Sequence, residues 1–274
     1  MAKVKLTFYQ VITAAINYFA ENGYKSQDDV DYWVQQIKQA AEADLVPENV
    51  LRRELTTHLV KVYERLVETK NLATYHPGIT PYTLQMVKPR LRWLLDQRIL
   101  NAADLIKDNK TASIGRTLRR FRGWATSIPI GGSDAIDKME EKAGLRKAMA
   151  QLPFEERRVI IDQGHKLAAN INNIVAEDGG AIAMIWHSHW RQKNYNYRED
   201  HKERDEKMYG IRNCWAHQEG LMKRGANPWL DQITQCGEEV FCRCFGSYVY
   251  SLEDLNDDML TNKAKERLAA LDDA

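Results

Sequence analysis

The hydrophobic pattern of this chain changes its period once, at Gly179-Gly180, and that change constrains the fold more than any other feature. Before the two glycines, apolar residues recur at helical spacing. After them, short stretches in which Val, Phe and Tyr alternate are separated by polar loops rich in Asn, Gly and Trp. A mostly α chain is expected: a helical N-terminal region followed by a small α+β C-terminal module.

Local signals divide the helical part. Leu6 to Glu21 predicts a helix closed by Gly23. Ser26, with Asp29 three residues on, begins a second helix to about Asp44. Pro47 suits the first turn of a third, through Leu51, Leu55, Leu59, Val62 and Leu66 to about Lys70. His76-Pro77-Gly78 is a turn. Tyr82 to Trp124 predicts two helices, interrupted near Pro89 and again near Lys107-Asp108-Asn109. Pro129-Ile130-Gly131-Gly132 is a linker, Ser133 caps a helix to about Ala150, and Pro153 opens a long helix through Val159, Ile160, Leu167, Ile171 and Ile174. Strands are expected at Ala181–Trp186, Lys207–Tyr209 and within Val240–Tyr250. The resulting division is a helical docking region over 1–130 and an α+β module over 131–250, its core at about 153–250. An acidic, then helical, tail follows over 251–274.

The chain has 274 residues, 44% hydrophobic and 28% charged, enough for a real core. Its net charge of +1 gives no overall field toward nucleic acid or a membrane, so any such contact must be local. From Tyr82 to Trp124, ten basic and three acidic residues leave a local excess of seven positive charges. Lys88, Arg90 and Arg92 accompany Trp93, and Arg116, Arg119, Arg120 and Arg122 interleave with Phe121 and Trp124. Arginines bind phosphate and aromatics stack on bases, so this region suits contact with DNA. It equally suits docking of an acidic protein partner, or a solvated helix face. No run approaches the roughly 20 apolar residues that span a bilayer. Gln10, Thr13 and Asn17 interrupt Leu6 to Ala20, as no secretory signal core would allow. A product made and kept in a cytosol, away from membranes, is expected.

All four cysteines, Cys214, Cys236, Cys242 and Cys244, lie in the last quarter of the chain. A disulfide scaffold would spread them through the fold, and a cytosol would keep them reduced. Clustering suits a local task. Cys242 and Cys244, two apart in an expected strand, would share one face. With His201 on a preceding loop they offer three soft ligands, a set that suits a structural zinc, and Asp205, His217 or Cys236 would complete a tetrahedron. A Cys-x-Cys pair facing a small core needs no metal, and the spacing does not choose between the two. His187-Ser188-His189, near His201, also suits a metal-dependent nuclease or hydrolase. Trp186 and Trp190 equally make it an anchored polar loop. Neither a helical zinc-protease spacing nor a nucleophile signature is present, so no catalytic residues are expected.

One ordered set of motifs goes further. Arg198 and His201 are followed by Asp205, Lys207, Met208 and Tyr209 and, after a loop, by Glu238-Glu239-Val240-Phe241-Cys242-Arg243-Cys244. Trp186 stands ahead of them. This order resembles the C-terminal region of the phage Mu F-like head-morphogenesis family, over the chain from about Pro153 onward. Glu206 stands where the family has Gly, which argues against a positive-φ turn there, and Cys236 where Pro is usual. The resemblance implies a minor capsid protein of a tailed bacteriophage, made in the host cytoplasm and present in few copies in the virion head. Its partners would be the portal and other head proteins, with the packaged DNA nearby, and its role head morphogenesis, DNA packaging or genome ejection. A metal-dependent nuclease using His187, His189 and His201, or a zinc-stapled DNA-binding module, are the rival expectations.

The loop between Tyr209 and Val240 must be pinned at both ends. Pairing of the Lys207–Tyr209 strand with a Val240–Phe245 strand would do this and bring His201, Cys242 and Cys244 together.

Overall fold

Thr7 and Gln10 form a reciprocal cap, each backbone N–H donating to the other's side chain, ahead of α1 (Phe8–Asn22). The computed structural model that shows this describes residues 6–67, 72, 76–150 and 152–272. The Ser26 hydroxyl accepts from Asp29 N at 3.2 Å and starts α2 (Gln27–Ala43). The third helix, α3 (Glu48–Val67), follows Pro47, and its expected end near Lys70 lies outside the described residues.

The next element corrects the sequence reading. α4 (Pro81–Ser127) is a single helix of 47 residues that passes through both Pro89 and Lys107-Asp108-Asn109. Val87, Leu91, Leu95, Ile99, Ala102 and Ile106 keep one helical phase past the proline up to Lys107, and all are buried. Burying several large side chains at about 1.5–3 kcal/mol each outweighs the roughly 3 kcal/mol that an interior proline costs. α5 (Lys138–Ala150) also begins later than expected, because Asp137 rather than Ser133 caps it: Asp137 Oδ1 accepts from Met139 N at 2.8 Å and Glu140 N at 3.0 Å. The long α6 (Leu152–Asp178) forms as predicted.

The chain forms two compact units, both discontinuous: residues up to Glu54 with Asn101–Val159, and Leu55–Leu100 with Ile160 onward. These boundaries differ from the sequence division near 130 and 250. In the first unit, Ile12, Ile16 and Phe19 of α1 meet Ile37 of α2, Phe121 of α4 and Leu145 of α5 in one core. The glycine-rich segment after Pro129 is pinned to this unit rather than acting as a linker. Gly131 N donates to Asn22 O and Ser133 N to Ala20 O, both at 3.0 Å. Gly132, at φ 84°, passes so close to Ala20 O that a Cβ could not fit.

The second unit holds a helical cluster of Leu59 and Tyr63 (α3), Leu91 and Leu95 (α4), and Leu167, Ile171 and Val175 (α6). It also holds the sheet, made of β1 (Ala183–His187), β2 (Met208–Gly210) and β3 (Phe245–Val249) in the order β2-β1-β3, with both pairings antiparallel. β2 and β3 therefore flank β1 and do not pair with each other, contrary to the sequence expectation of a direct Lys207–Tyr209 to Val240–Phe245 pairing. Met184 faces Tyr209 on one side and Tyr248 on the other. Gly246, opposite Trp186, leaves no room for a Cβ against the Met184 thioether.

Side chains alternate between the two faces of the sheet. Ala183, Met208 and Val249 join one buried cluster, while Met184, Trp186 and Tyr209 join another with Cys236, Cys242 and Cys244. Burial on both faces explains why β1 comes from an unbroken apolar run. The first face is covered by Leu252, Leu255, Met259, Leu260 and Ala264, so the segment expected as a tail is part of the core. Its helix α8 (Asn262–Asp272) begins where predicted. No helix among the described residues is long and apolar enough to cross a membrane.

Candidate metal centre

On the second face of the sheet, the single-turn helix α7 (Glu199–Glu203) places His201 beneath β1, only 2% exposed. Its ring stands edge-on to the fully buried Trp186 at 5.3 Å. His201 Nδ1 lies 3.6 Å from Cys242 Sγ and 3.5 Å from Cys244 Sγ. All three ligand atoms fall within 4.8 Å of one another, close enough to bind a metal ion.

The cysteines reach this position by a route the sequence did not predict. Residues 240–244 are not strand, and β3 begins only at Phe245. Phe241 adopts φ 60°, and Cys242 N donates to Glu239 O at 3.1 Å, closing a turn. Phe241 N donates to Asp162 Oδ1 of α6 at 2.6 Å, and Tyr195 Oη to Phe241 O at 3.2 Å. The turn, not strand alternation, brings the two thiols together. The hydrogen bond from Cys244 draws the Cys242 thiol well below its ordinary range, helped by His201, while Cys244 is raised because it keeps the proton it donates.

The other face of the imidazole is unusual. Nε2 is buried with no hydrogen-bond partner among the described residues. Two carboxylates approach it, Glu239 Oε1 at 3.7 Å and Asp200 Oδ2 at 3.9 Å, both beyond hydrogen-bond range. Glu239 is held by Arg198, whose Nε lies 2.5 Å from Oε2 and whose Nη2 donates to Val240 O at 3.0 Å. Glu239 was quoted in the sequence motif without a role. Its signal was its place three residues ahead of the first paired cysteine.

None of the three residues considered as a fourth ligand joins the group. Both Asp205 oxygens are committed, to Ser188 N and to Trp190 Nε1, each at 2.7 Å. Burial opposes ionisation of Asp205, yet these bonds hold its carboxyl below the usual range. His217 Nδ1 accepts from Asn213 N at 3.3 Å and its ring packs on Trp229 at 5.0 Å. Cys236 is buried in the same apolar cluster, its thiol raised by burial, but lies outside the ligand group. Glu206 does adopt φ 63°, so the turn that a glycine would favour forms without one. Its N–H donates to Trp186 O at 2.7 Å, which fixes the conformation.

His187 and His189 do not join His201 in any ligand group among the described residues. His187 stacks on Phe245 at 4.8 Å and its Nε2 lies 2.8 Å from Ser247 Oγ, while His189 lies against the same Phe245 at 5.8 Å. The basic clusters differ from each other. Phe121 is fully buried in the first unit's core and offers no ring to a base, Trp124 packs against that core and is partly buried, and Arg122 pairs with Asp31 at 2.8 Å. Arg116 donates to Ser113 Oγ at 2.6 Å, and Arg119 and Arg120 are exposed. In the second unit, Trp93 is 63% exposed and lies on one helix face with the exposed Tyr82 and Met86. Lys88 is exposed on another side of the helix, Arg90 pairs with Asp178 at 3.5 Å and Arg92 with Asp96 at 3.4 Å. A buried polar site the sequence did not single out sits at the His76 turn. His76 Nδ1 lies 2.7 Å from Tyr250 Oη and Nε2 3.2 Å from Asn172 Oδ1.

Compared with known proteins, the chain matches no family model, no curated protein and no solved structure.

Proposed function

We propose that this chain is a minor head protein of a tailed bacteriophage, of the Mu F-like kind, whose C-terminal module is closed by a structural zinc on His201, Cys242 and Cys244. The observation that carries the reading is the convergence of the motif residues. His201 meets Cys242 and Cys244, Arg198 meets Glu239, and Trp186 packs on His201, although these residues are dispersed along the sequence. Motifs that resemble a family in order alone thus also form one physical unit.

The donor set fits zinc. With Zn–S near 2.3 Å and Zn–N near 2.0–2.1 Å, a tetrahedral site separates its sulfur and nitrogen ligands by about 3.5 Å. The observed separations are 3.5 and 3.6 Å. Nδ1 carries either one lone pair or one N–H, so one well-directed hydrogen bond accounts for only one of the two sulfurs that approach it. Glu239 and Asp200 lie behind Nε2, at 3.7 and 3.9 Å, on the side from which a carboxylate commonly orients a metal-bound imidazole. A bound zinc would tie α7 to the turn before β3, and metal binding would then contribute directly to folding of the module.

Portal or head contact is assigned to the exposed face of α4 around Tyr82, Met86 and Trp93, bordered by Arg90 and Arg92, with Lys88 exposed farther round the helix. Exposed aromatic and apolar anchors with basic neighbours suit a protein partner of acidic character. Mass spectrometry of purified particles tests the assignment: this chain should be found beside a portal protein. Abundant expression with no copy in any particle fraction would sink it.

A further inference from the structure

A cavity of about 200 Å³ lies beside the metal centre in the same unit, between α6 and the start of β3. Two imidazoles and a guanidinium from three segments line it: His165 of α6, His189 after β1, and Arg243 between the paired cysteines. Asn172 and Tyr248 add polar groups, and no carboxylate is among the lining residues. Arg243 makes only neutral contacts that are visible among the described residues. Nη1 donates to Gln192 Oε1 at 3.4 Å, and the guanidinium lies 5.3 Å over the Tyr195 ring. The nearby acidic side chain on α6, Asp162, is occupied by Lys166 at 3.3 Å and by Phe241 N. Burial, together with the facing Arg243, pushes His165 below its ordinary pKa, so Arg243 is the charged donor here and His165 a neutral one.

We propose that this cavity binds a phosphate group, either as inorganic phosphate or as the 5′-monophosphate of a nucleotide. Its volume falls below the roughly 300 Å³ at which drug-sized ligands begin to fit, and suits a small polyatomic anion. Arg243 supplies a planar fork of donors matched to phosphate oxygens, and the imidazole N–H groups and the Asn172 amide can add further donors. Phe245, 49% exposed and also lining the cavity, is placed to take a base if the phosphate belongs to a nucleotide. The site does not rest on the phage reading.

The test is calorimetric titration of the full chain with sodium phosphate and, separately, with thymidine 5′-monophosphate, at constant ionic strength. Saturable binding is expected, weakened about ten- to hundredfold in Arg243→Ala through loss of a charge-assisted contact, and unchanged in Arg191→Ala, which lies outside the cavity. If Arg243→Ala does not fold, Arg243→Lys and His165→Gln carry the same test, and both should weaken binding. Equal affinity for the two probes assigns the site to free phosphate. Tighter binding of the nucleotide, lost in Phe245→Ala, assigns it to a nucleotide. Absence of saturable binding tighter than about 1 mM, or unchanged affinity in the Arg243 and His165 variants, overturns the proposal.

Discussion

Arg198 and Glu239 form an ion pair, 2.5 Å from Nε to Oε2, that joins α7 to the turn carrying the paired cysteines. The same carboxylate reaches toward His201 Nε2, so it both fixes the turn and sits behind the candidate ligand. Glu239→Gln should keep the shape and lose the charge. Metal affinity should then fall about 10- to 100-fold, the usual effect of removing such a supporting carboxylate. A competition titration with a chromophoric chelator reads this directly, and equal affinity in the variant would remove Glu239 from the site.

The metal itself gives a second prediction. Purified protein should carry about one zinc per chain by elemental analysis, and a strong chelator should lower its melting temperature. Cys242→Ser and Cys244→Ser should each lose the metal and the cooperative unfolding of the second unit. A metal-free wild type whose melting ignores chelator would make the cysteines packing residues, in keeping with their burial.

Glu206 holds φ 63°, a conformation that costs an L-residue about 1–2 kcal/mol. Its side chain offers little in return, since its pair with Arg191 is long, at 3.9 Å, and exposed. Glu206→Gly should therefore stabilise the protein by up to about 1 kcal/mol, after the added entropy of an unfolded glycine. Urea denaturation checks this, and a loss of stability would mean that the glutamate has a contact the geometry undervalues.

His76 should make stability depend on pH. Burial lowers its pKa below the ordinary 6.5, and its partners fit a neutral ring that donates from Nε2 to Asn172 and accepts from the Tyr250 hydroxyl. In the window between the folded and unfolded values, the unfolded chain binds more protons. Stability is therefore complete above pH 6.5 and declines as pH falls through 6.5 toward the folded value. Melting curves across this range should show the slope, and His76→Gln should flatten it. An identical slope in the variant would assign the effect elsewhere.

The exposed face of α4 is the last target. Trp93→Ala together with Met86→Ala should abolish co-purification with heads while leaving melting within about 0.5 kcal/mol of wild type, because both side chains are largely exposed. Undiminished incorporation would move the docking surface to another part of the chain.

The sequence carried the class of fold and the three residues that converge, His201, Cys242 and Cys244, because period and side-chain chemistry are local properties. It misplaced the break in α4, because Pro89 is a strong local signal whose cost is overcome only by burial on one long helix face. It expected Cys242 and Cys244 in a strand, whereas a left-handed Phe241 and the distant Asp162 build the turn that presents them. Asp162 lies 79 residues before the turn it shapes, and no spacing rule connects them. The segment after Ser251 read as a tail because acidic residues dominate it, although its few apolar side chains are the ones that cover the sheet.

The discontinuity of the two units sets an order on synthesis. A chain emerging from the ribosome completes the first unit when Val159 appears, but Leu55–Leu100 belongs with residues made after it. Leu59, Leu91 and Leu95 then have no Leu167, Ile171 or Val175 to pack against until α6 has emerged, and the sheet waits for β3. At roughly 5–20 residues per second, the apolar faces of α3 and α4 stay open for seconds. During that interval the nascent chain is a substrate for chaperones and a hazard to its neighbours on a polysome.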